Sequence, residues 1–344
     1  MLPLYRPTIR RADMDAVLRR LAEDSIGAGE LSREFSQGLA KYLGRRSGVS
    51  MRTVGAALRA ALTSLGLPPG ARVGMSALAH GYVFRVVERL GFTPVVVDTQ
   101  RILPVLPSPL DFDYEPLSLD CLYVDSRLGF IADVEGLRQI RVPLIEDVSE
   151  GLGGNTGREM VGSAGELTII GLEPEHIITA GGGATVVTNN SKRVSVLAAA
   201  TDPGGGEASL PDMNAAMALT QMRQLEKFIE RRRELVSRFL RTIQRGRHTL
   251  PLQGGEGDAV FPALPVLVES SPRDVEQYAR THGVSAGRAF PETALTLLSD
   301  ADHDVTRTFP NALSLAGRMV LFPLYPTLGK TEQETIERIL ATMP

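Results

Sequence analysis

The chain has 344 residues, of which 37 are basic and 40 are acidic, so its formal net charge is −3. This near-neutral balance excludes the basic footprint of a nucleic-acid-binding protein. No apolar run approaches the ~20 residues that span a bilayer, and residues 1–10 lack a signal-peptide core, so we expect a cytoplasmic protein. The single cysteine, Cys121, excludes a disulfide framework, an iron–sulfur cluster and a thiolate zinc site.

The first part of the chain alternates between two kinds of periodicity. After an extended arm over 2–7, apolar residues recur at the spacing of an amphipathic helix, and several such stretches end at glycine. Short runs rich in β-branched residues lie between them and favour strands. Helices are predicted over 12–21, 35–43, 55–66, 82–90 and 134–139, and strands around Val73 and over 93–98, 121–125, 142–147, 167–170 and 184–188. The β-branched run within 93–98 predicts that this strand is buried.

This alternation predicts an α/β fold with a mostly parallel central sheet and helices on both faces. The last two of these strands are interpreted as a hairpin. We predict a large domain over 1–225, which includes the N-terminal arm, and a small C-terminal α+β domain over 226–344. Later elements are predicted as a glycine loop at 204–206, a long helical stretch over 213–243, strands over 259–268 and 319–322, and helices over 272–282 and 332–343.

Candidate ligand-binding groups lie after strand ends, where a doubly wound sheet binds its ligands. Thr53-Val54-Gly55 opens a helix whose backbone N–H groups could bind a phosphate, or could simply be capped by the threonine. Asp147 ends an apolar strand, where it is either buried with a partner or exposed. His80 and His176 each follow a strand and are either proton-transfer groups or structural residues.

Several segments carry a family likeness through their order and spacing. They are Gly55-Ala-Ala-Leu58, Gly91-Phe-Thr-Pro-Val-Val-Val-Asp98, Leu144-Ile-Glu-Asp147, Gly181-Gly-Gly-Ala-Thr-Val-Val-Thr-Asn189 and Phe322-Pro-Leu-Tyr-Pro-Thr-Leu328. Together they resemble the DegT/StrS family of pyridoxal-phosphate (PLP) sugar aminotransferases, and the resemblance covers nearly the whole chain. It implies the fold-type I aminotransferase architecture, which agrees with the α/β organisation predicted from periodicity.

The resemblance also implies partners. Members of the family form homodimers with the site at the subunit interface, and they act on small molecules such as sugar nucleotides, often in secondary metabolism. Glu207 lies near the position of an asparagine that a neighbouring subunit offers to the cofactor phosphate. We therefore expect a homodimer with a small-molecule substrate, and neither a nucleic-acid nor a membrane partner.

Individual residues acquire roles from the same resemblance. Asp147 would pair with the ring nitrogen of the cofactor, His80 would stack on its ring, and Thr53-Val54-Gly55 would hold its phosphate. Glu150 occupies the position of a glutamine near the phenolic oxygen. Gly171 occupies the position of a serine that precedes the lysine segment.

The Schiff-base lysine of the family falls at His176. An imidazole forms no stable aldimine with PLP, so ordinary transamination is excluded at this position. His176-Ile-Ile-Thr179 resembles a segment of the sugar 3-dehydratases, a branch in which pyridoxamine phosphate (PMP) binds non-covalently and this histidine is the base. The chain has four lysines, none of which is expected to substitute: Lys41, Lys192, Lys227 and Lys330.

Three functions remain open at this point. The first is a lysine-less enzyme that dehydrates or eliminates on a sugar nucleotide or related metabolite, with non-covalent PMP or PLP and His176 as acid and base. The second is a cofactor-free enzyme in which Asp147, Glu150 and His176 form an acid–base cluster. The third is a non-catalytic protein that binds a partner or stabilises an active homologue.

Overall fold

The computed structural model describes residues 1–201, 208–252, 257–299 and 305–344. Glu207 and the glycine loop at 204–206 lie outside the described residues, so the predictions made for them are not addressed further. None of the described helices is long and apolar enough to cross a membrane.

A seven-stranded sheet organises the first part of the chain. Its strands are β1 (Ser47–Met51), β2 (Arg72–Ser76), β3 (Thr93–Val97), β4 (Cys121–Asp125), β5 (Leu144–Asp147), β6 (Leu167–Gly171) and β7 (Ala184–Thr188). Their order is β1-β7-β6-β5-β4-β2-β3, and β2 to β6 pair in parallel. β7 runs antiparallel to both β6 and β1. The predicted mostly parallel sheet and the predicted hairpin are both confirmed.

Helices cover both faces of this sheet. Neighbouring residues of β6 show this, because successive side chains of a strand point to opposite faces. Ile169 packs in a cluster with Leu58, whereas Ile170 packs in another cluster with Phe35 and Leu39. The helices of this part of the chain are α1 (Arg11–Ala22), α2 (Glu30–Tyr42), α3 (Val54–Leu65), α4 (Gly81–Arg89), α5 (Val134–Leu137), α6 (Ser191–Thr201), α7 (Asp212–Met222) and α8 (Leu225–Ile243).

Two expectations about this region need correction. The predicted helix over 213–243 is two helices, because α7 packs against α1 and α2 whereas α8 packs against the C-terminal helix at 330–342. The chain turns at Arg223 and Gln224, so that the two helices pack against different elements. The predicted buried strand at 93–98 is β3, which is mostly half-buried because it lies at the edge of the sheet.

A second, three-stranded antiparallel sheet lies in the C-terminal part, in the order β8-β10-β9. The arm at the N-terminus joins this region, since the N–H of Leu2 donates to the carbonyl of Gly283 at 2.7 Å. The predicted domain limit near residue 225 coincides with the start of α8 and stays a prediction. The elements here are β8 (Leu264–Leu267), α9 (Pro272–Thr281), β9 (Gly287–Arg288), α10 (Ala294–Ser299), α11 (Val305–Thr308), α12 (Pro310–Arg318), β10 (Met319–Phe322) and α13 (Lys330–Thr342).

Candidate functional site

The carboxyl ends of β4 and β5 open into a cavity of about 270 Å³, which is the expected ligand position in a doubly wound sheet. The predicted site residues in its wall are Thr53, Val54, Gly55, His80, Asp147, Glu150 and His176. Gly171 lies directly behind His176. Sequence patterns did not indicate the other lining residues, which are Tyr82, Tyr123, Asp125, Ser126, Ser149, Glu173 and Glu175.

Asp147 is buried and its hydrogen bonds are provided by the chain itself. Its Oδ2 accepts from the hydroxyls of Tyr123 at 2.8 Å and Tyr82 at 3.2 Å. Its Oδ1 accepts from the N–H of Ser149 at 2.9 Å and from the hydroxyl of the same serine. Burial raises the pKa of both tyrosines, which keeps their hydroxyls protonated. A carboxylate has about four acceptor positions, so the ring nitrogen of a bound pyridine would compete with these donors for Asp147.

A buried arginine, Arg127, holds Glu150 in place. Its Nη1 donates to both carboxylate oxygens of Glu150 at 2.6 and 2.7 Å, and the N–H of Leu128 donates to the same carboxylate. Burial alone would raise the pKa of Glu150, but the charge of Arg127 outweighs burial and holds that pKa well below its usual range. Glu150 is therefore held as an anion near neutral pH, and its role as a catalytic acid or base stays a prediction.

His80 is positioned by the same arginine. Nη1 of Arg127 lies 2.8 Å from Nε2 of His80, and since arginine only donates, this imidazole nitrogen is an acceptor. The imidazole ring also stacks on Tyr82, with ring centroids 5.7 Å apart. One ring edge and one ring face are thus already in contact with the protein. The stacking of His80 on a cofactor stays a prediction.

His176 lies in the loop between β6 and β7. Its Nδ1 accepts from the N–H of Glu173 at 3.2 Å, so the neutral imidazole carries its proton on Nε2. In this state His176 is a hydrogen-bond donor. Burial raises the pKa of the neighbouring Glu173 carboxyl, whereas the proximity of His176 opposes that rise.

Gly171 leaves the space that His176 occupies. A Cβ atom at position 171 would lie 2.6 Å from Cε1 of His176 and 2.8 Å from Oγ of Ser149, both closer than side chains pack. A serine, which the family resemblance places here, would therefore displace the imidazole. Gly171 and His176 thus fit each other sterically.

We expect Gly171→Ala to lower the free energy of unfolding by about 1–3 kcal/mol, because the added methyl overpacks the buried contact with His176. Adding His176→Ala should recover at least half of that loss, as a double-mutant cycle in urea denaturation would show. Gly317→Ala is the matched control, since a Cβ there meets nothing within 4 Å. Strictly additive losses in the cycle would contradict the steric pairing.

The predicted phosphate end of the cavity is the N-terminus of α3. Oγ1 of Thr53 accepts from the N–H of Ala56 at 3.0 Å, so Thr53 caps α3, which agrees with the simpler of the two sequence interpretations. Two further acids, Glu173 and Glu175, line the same cavity. An adjoining cleft shares Thr53, Gly55 and Tyr82 with the cavity and is lined by three arginines, Arg59, Arg85 and Arg89.

The lysines are remote from this site. Each is exposed and lies on the surface of a helix, and among the residues that the structure describes no lysine lines the cavity. They lie on α2, α6, α8 and α13, as Lys41, Lys192, Lys227 and Lys330 respectively.

Asp125 is a second acid at the sheet edge. It is directly opposite Asp147 in the parallel register of β4 and β5. Asp125 is buried, with 6% of its surface exposed. Neither of its carboxylate oxygens has a hydrogen-bond partner within the described ranges. Burial raises the pKa of Asp125 to about 7, with Arg127 opposing the rise and Asp147 adding to it. Both strands end in aspartate in the sequence, a signal that could have indicated this pair but was not recognised.

The sequence of the chain is similar to those of known proteins. Residues 7–343 match the sequence pattern of the DegT/DnrJ/EryC1/StrS aminotransferase family. A curated relative, the UDP-4-amino-4-deoxy-L-arabinose–oxoglutarate aminotransferase of Shewanella sediminis, is 25% identical over 264 residues, which are 69% of this chain and 68% of the relative.

Solved structures share the fold. Spr1654 from Streptococcus pneumoniae, in its PLP form, superposes with a TM-score of 0.89 at 18% identity, over 99% of this chain and 97% of the other. A PMP form of the same protein gives the same TM-score. DesV of S. venezuelae, in complex with a ketimine intermediate, gives 0.88 at 21% identity, over 96% and 93%. At these identities the likeness shows the fold-type I architecture, as predicted.

Proposed function

The chain belongs to the DegT/DnrJ/EryC1/StrS aminotransferase family. From that premise we propose that it is an enzyme that lacks the Schiff-base lysine and works by acid–base catalysis. The reaction is of the dehydration or elimination type on a small sugar-type substrate. It takes place in the cavity at the ends of β4 and β5, and it uses no PLP-type cofactor. One observation carries the proposal: the chain's own hydroxyl and amide groups donate four hydrogen bonds to Asp147, in a cavity where the family resemblance places His176 at the position of the Schiff-base lysine.

The groups in the cavity do not fit a PLP-type cofactor. A pyridine nitrogen requires an acceptor, and Tyr82 and Tyr123 take the Oδ2 of Asp147 that would provide it. A phosphate requires donors and positive charge, but Glu173 and Glu175 share the cavity with the Thr53 turn. A protein of the same fold has been solved in PLP and PMP forms, and it would lead one to expect such a cofactor here. The contacts of Asp147 and the acids of the cavity argue against that expectation.

His176 supplies a hydrogen-bond donor in this proposal. The N–H of Glu173 fixes Nδ1 as an acceptor and leaves the proton on Nε2, so Nε2 donates a hydrogen bond to a leaving hydroxyl or a developing oxyanion of the substrate and keeps its proton. The Glu173 carboxyl, whose pKa is raised by burial, takes the proton that the substrate loses from carbon and returns it to the leaving hydroxyl, which departs as water. The pair resembles other sites in which environment separates an acid from a base.

Cofactor titration tests the proposal. We expect neither PLP nor PMP to bind at concentrations that saturate a lysine-containing member of the family, as read from cofactor absorbance after gel filtration. His176→Lys should also form no stable aldimine, which borohydride reduction followed by mass spectrometry would reveal, because Asp147 stays occupied. Tight binding of either cofactor to the unaltered chain would refute the cofactor-free assignment.

Turnover provides the second arm. When a set of nucleotide sugars and free keto sugars is screened for loss of water, His176→Ala should lower the rate of any conversion by about 10²–10³-fold, the usual contribution of a hydrogen-bond donor that stabilises developing negative charge. Asp111→Asn, on an exposed loop, is the control and should keep full rate. An unchanged rate in the His176 variant would remove this residue from the mechanism, and the absence of any turnover would favour the non-catalytic hypothesis.

A further inference from the structure

We propose that the outward face of α1 is a contact surface between two copies of this chain, which pack these helices antiparallel. The proposal goes beyond the proposed function and does not rest on it. The family resemblance implies a homodimer whose interface holds the site, but it gives no role to α1. No residue of this helix is among the described residues that line the cavity at the ends of β4 and β5.

Exposed large apolar side chains concentrate on and beside α1. Ten such side chains occur in the described part of the chain, and five of them lie within residues 9–26. Single exposed apolar residues are ordinary on a protein surface, whereas a contiguous group marks an interaction site. Met14, Leu18 and Leu21 follow the i, i+4, i+7 spacing of one helix face and are between 47% and 59% exposed. Ile9 and Ile26 flank this stripe in sequence and are also exposed.

The opposite face of α1 holds the helix to the protein through polar groups. Asp13 is buried, and its Oδ2 accepts from Nε2 of Gln221 on α7 at 2.9 Å and from the N–H of Arg10 at 2.7 Å. No side chain of α1 belongs to the hydrophobic core clusters formed by the described residues. A surface helix normally buries its apolar stripe and exposes its polar face. Because α1 does the reverse, its stripe calls for a cover from outside the chain.

The charges beside the stripe fit a second copy of the same helix. Asp15 and Arg19 are exposed, one turn apart, and lie along one side of the stripe. When two identical helices pack antiparallel about a two-fold axis at Leu18, the same side of each helix faces that side of the other. Asp15 of each copy then lies beside Arg19 of the other, so the attractive pair occurs twice. The same arrangement places Met14 of one copy against Leu21 of the other.

A lipid surface is the other possible cover for an amphipathic helix, and the charges of α1 favour a second copy over it. Helices that lie on membranes are rich in lysine and arginine on their polar face, and anionic lipid attracts them. Asp15 and Glu23 are exposed acids that alternate with the arginines along this helix. Anionic lipid would repel these acids, whereas an antiparallel copy pairs charges of both signs.

Sedimentation velocity of the full chain tests the proposal. Leu18→Glu brings two carboxylates together at the two-fold axis, so we expect the dissociation constant to rise about 100-fold and the mass of the assembly to halve. Leu110→Glu changes another exposed leucine, on a loop, and as the matched control should leave the mass unchanged. A monomeric unaltered chain, or an unchanged mass for Leu18→Glu, would overturn the proposal.

Charge reversal tests the antiparallel pairing itself. Asp15→Arg alone and Arg19→Asp alone each place like charges opposite one another twice, so each change should weaken self-association about tenfold. An equimolar mixture of the two variants should assemble as well as the unaltered chain, because the arginines of one variant face the aspartates of the other. A mixture that assembles no better than its components, while circular dichroism shows both folded, would overturn the pairing.

Vesicle flotation decides between protein and lipid. The unaltered chain should stay unbound to vesicles of phosphatidylcholine and phosphatidylglycerol, since the stripe is covered by a second copy. Binding to these vesicles that Leu18→Glu abolishes and Leu110→Glu preserves would assign the face to a membrane and overturn the proposal.

Discussion

Replacing Arg127 by methionine is expected to lower the free energy of unfolding by about 3–5 kcal/mol, because the change leaves the buried charge of Glu150 without its partner. Arg127 is 2% exposed, and its guanidinium makes two short contacts with that carboxylate. It also donates to the carbonyl of Leu78 at 3.0 Å and lies over the ring of Phe290 at 5.3 Å. Urea denaturation at neutral pH measures the loss.

Two matched variants decide whether the buried pair is the cause. Arg158 pairs with Glu135 on the surface, where the two side chains are 77% and 68% exposed, so Arg158→Met should cost less than about 1 kcal/mol. The double change Arg127→Met with Glu150→Gln should be clearly more stable than Arg127→Met alone, since no unpaired charge remains. A loss below about 1 kcal/mol in Arg127→Met would contradict this account of the pair.

Arg127 also explains why the cavity wall is held in one arrangement. The residue after it, Leu128, has φ of +56°, a left-handed conformation that is unusual for a branched side chain. In this turn the N–H of Leu128 donates to the carboxylate of Glu150. Strained backbone of this kind persists where surrounding contacts hold it in place, and it is frequent at functional sites. The hydrogen bond from Leu128 is such a contact.

The fold was predictable because its signals are local. β-branched runs and glycine-terminated helices alternate along the chain, and parallel sheets follow from that alternation. The two-residue strand β9 carries no periodicity, and the break between α7 and α8 depends on which surfaces those helices cover. Such features are decided by tertiary packing, which periodicity does not record.

The site was predictable only in part, for a related reason. Asp147 and His176 follow strands, so the strand-end rule places them at one edge of the sheet. Arg127 acts through a long side chain that reaches Leu78, His80 and Glu150, and sequence spacing cannot indicate such a reach. The space that Gly171 provides for His176 becomes visible only when the two residues are in contact.

Asp125→Asn is expected to raise the free energy of unfolding relative to the unaltered chain. This gain should be about 3 kcal/mol larger at pH 8 than at pH 5. The pKa of Asp125 is raised by burial from 3.8 to about 7. Below pH 3.8 the carboxyl is protonated in both the folded and the unfolded chain. As the pH rises towards 7, the unfolded chain releases this proton first, so stability falls; above 7 no further change comes from this group.

Comparing the two proteins isolates Asp125, because groups whose titration is unaffected by the substitution cancel in the difference. Among its neighbours, Arg127 and Glu150 keep their charges throughout this pH range, since the pKa of the arginine is raised and that of the glutamate lowered. Thermal and urea unfolding at both pH values provide the measurement, and Asp111→Asn should give a margin independent of pH. A constant margin for Asp125→Asn would mean that this carboxyl is ionised at an ordinary pH.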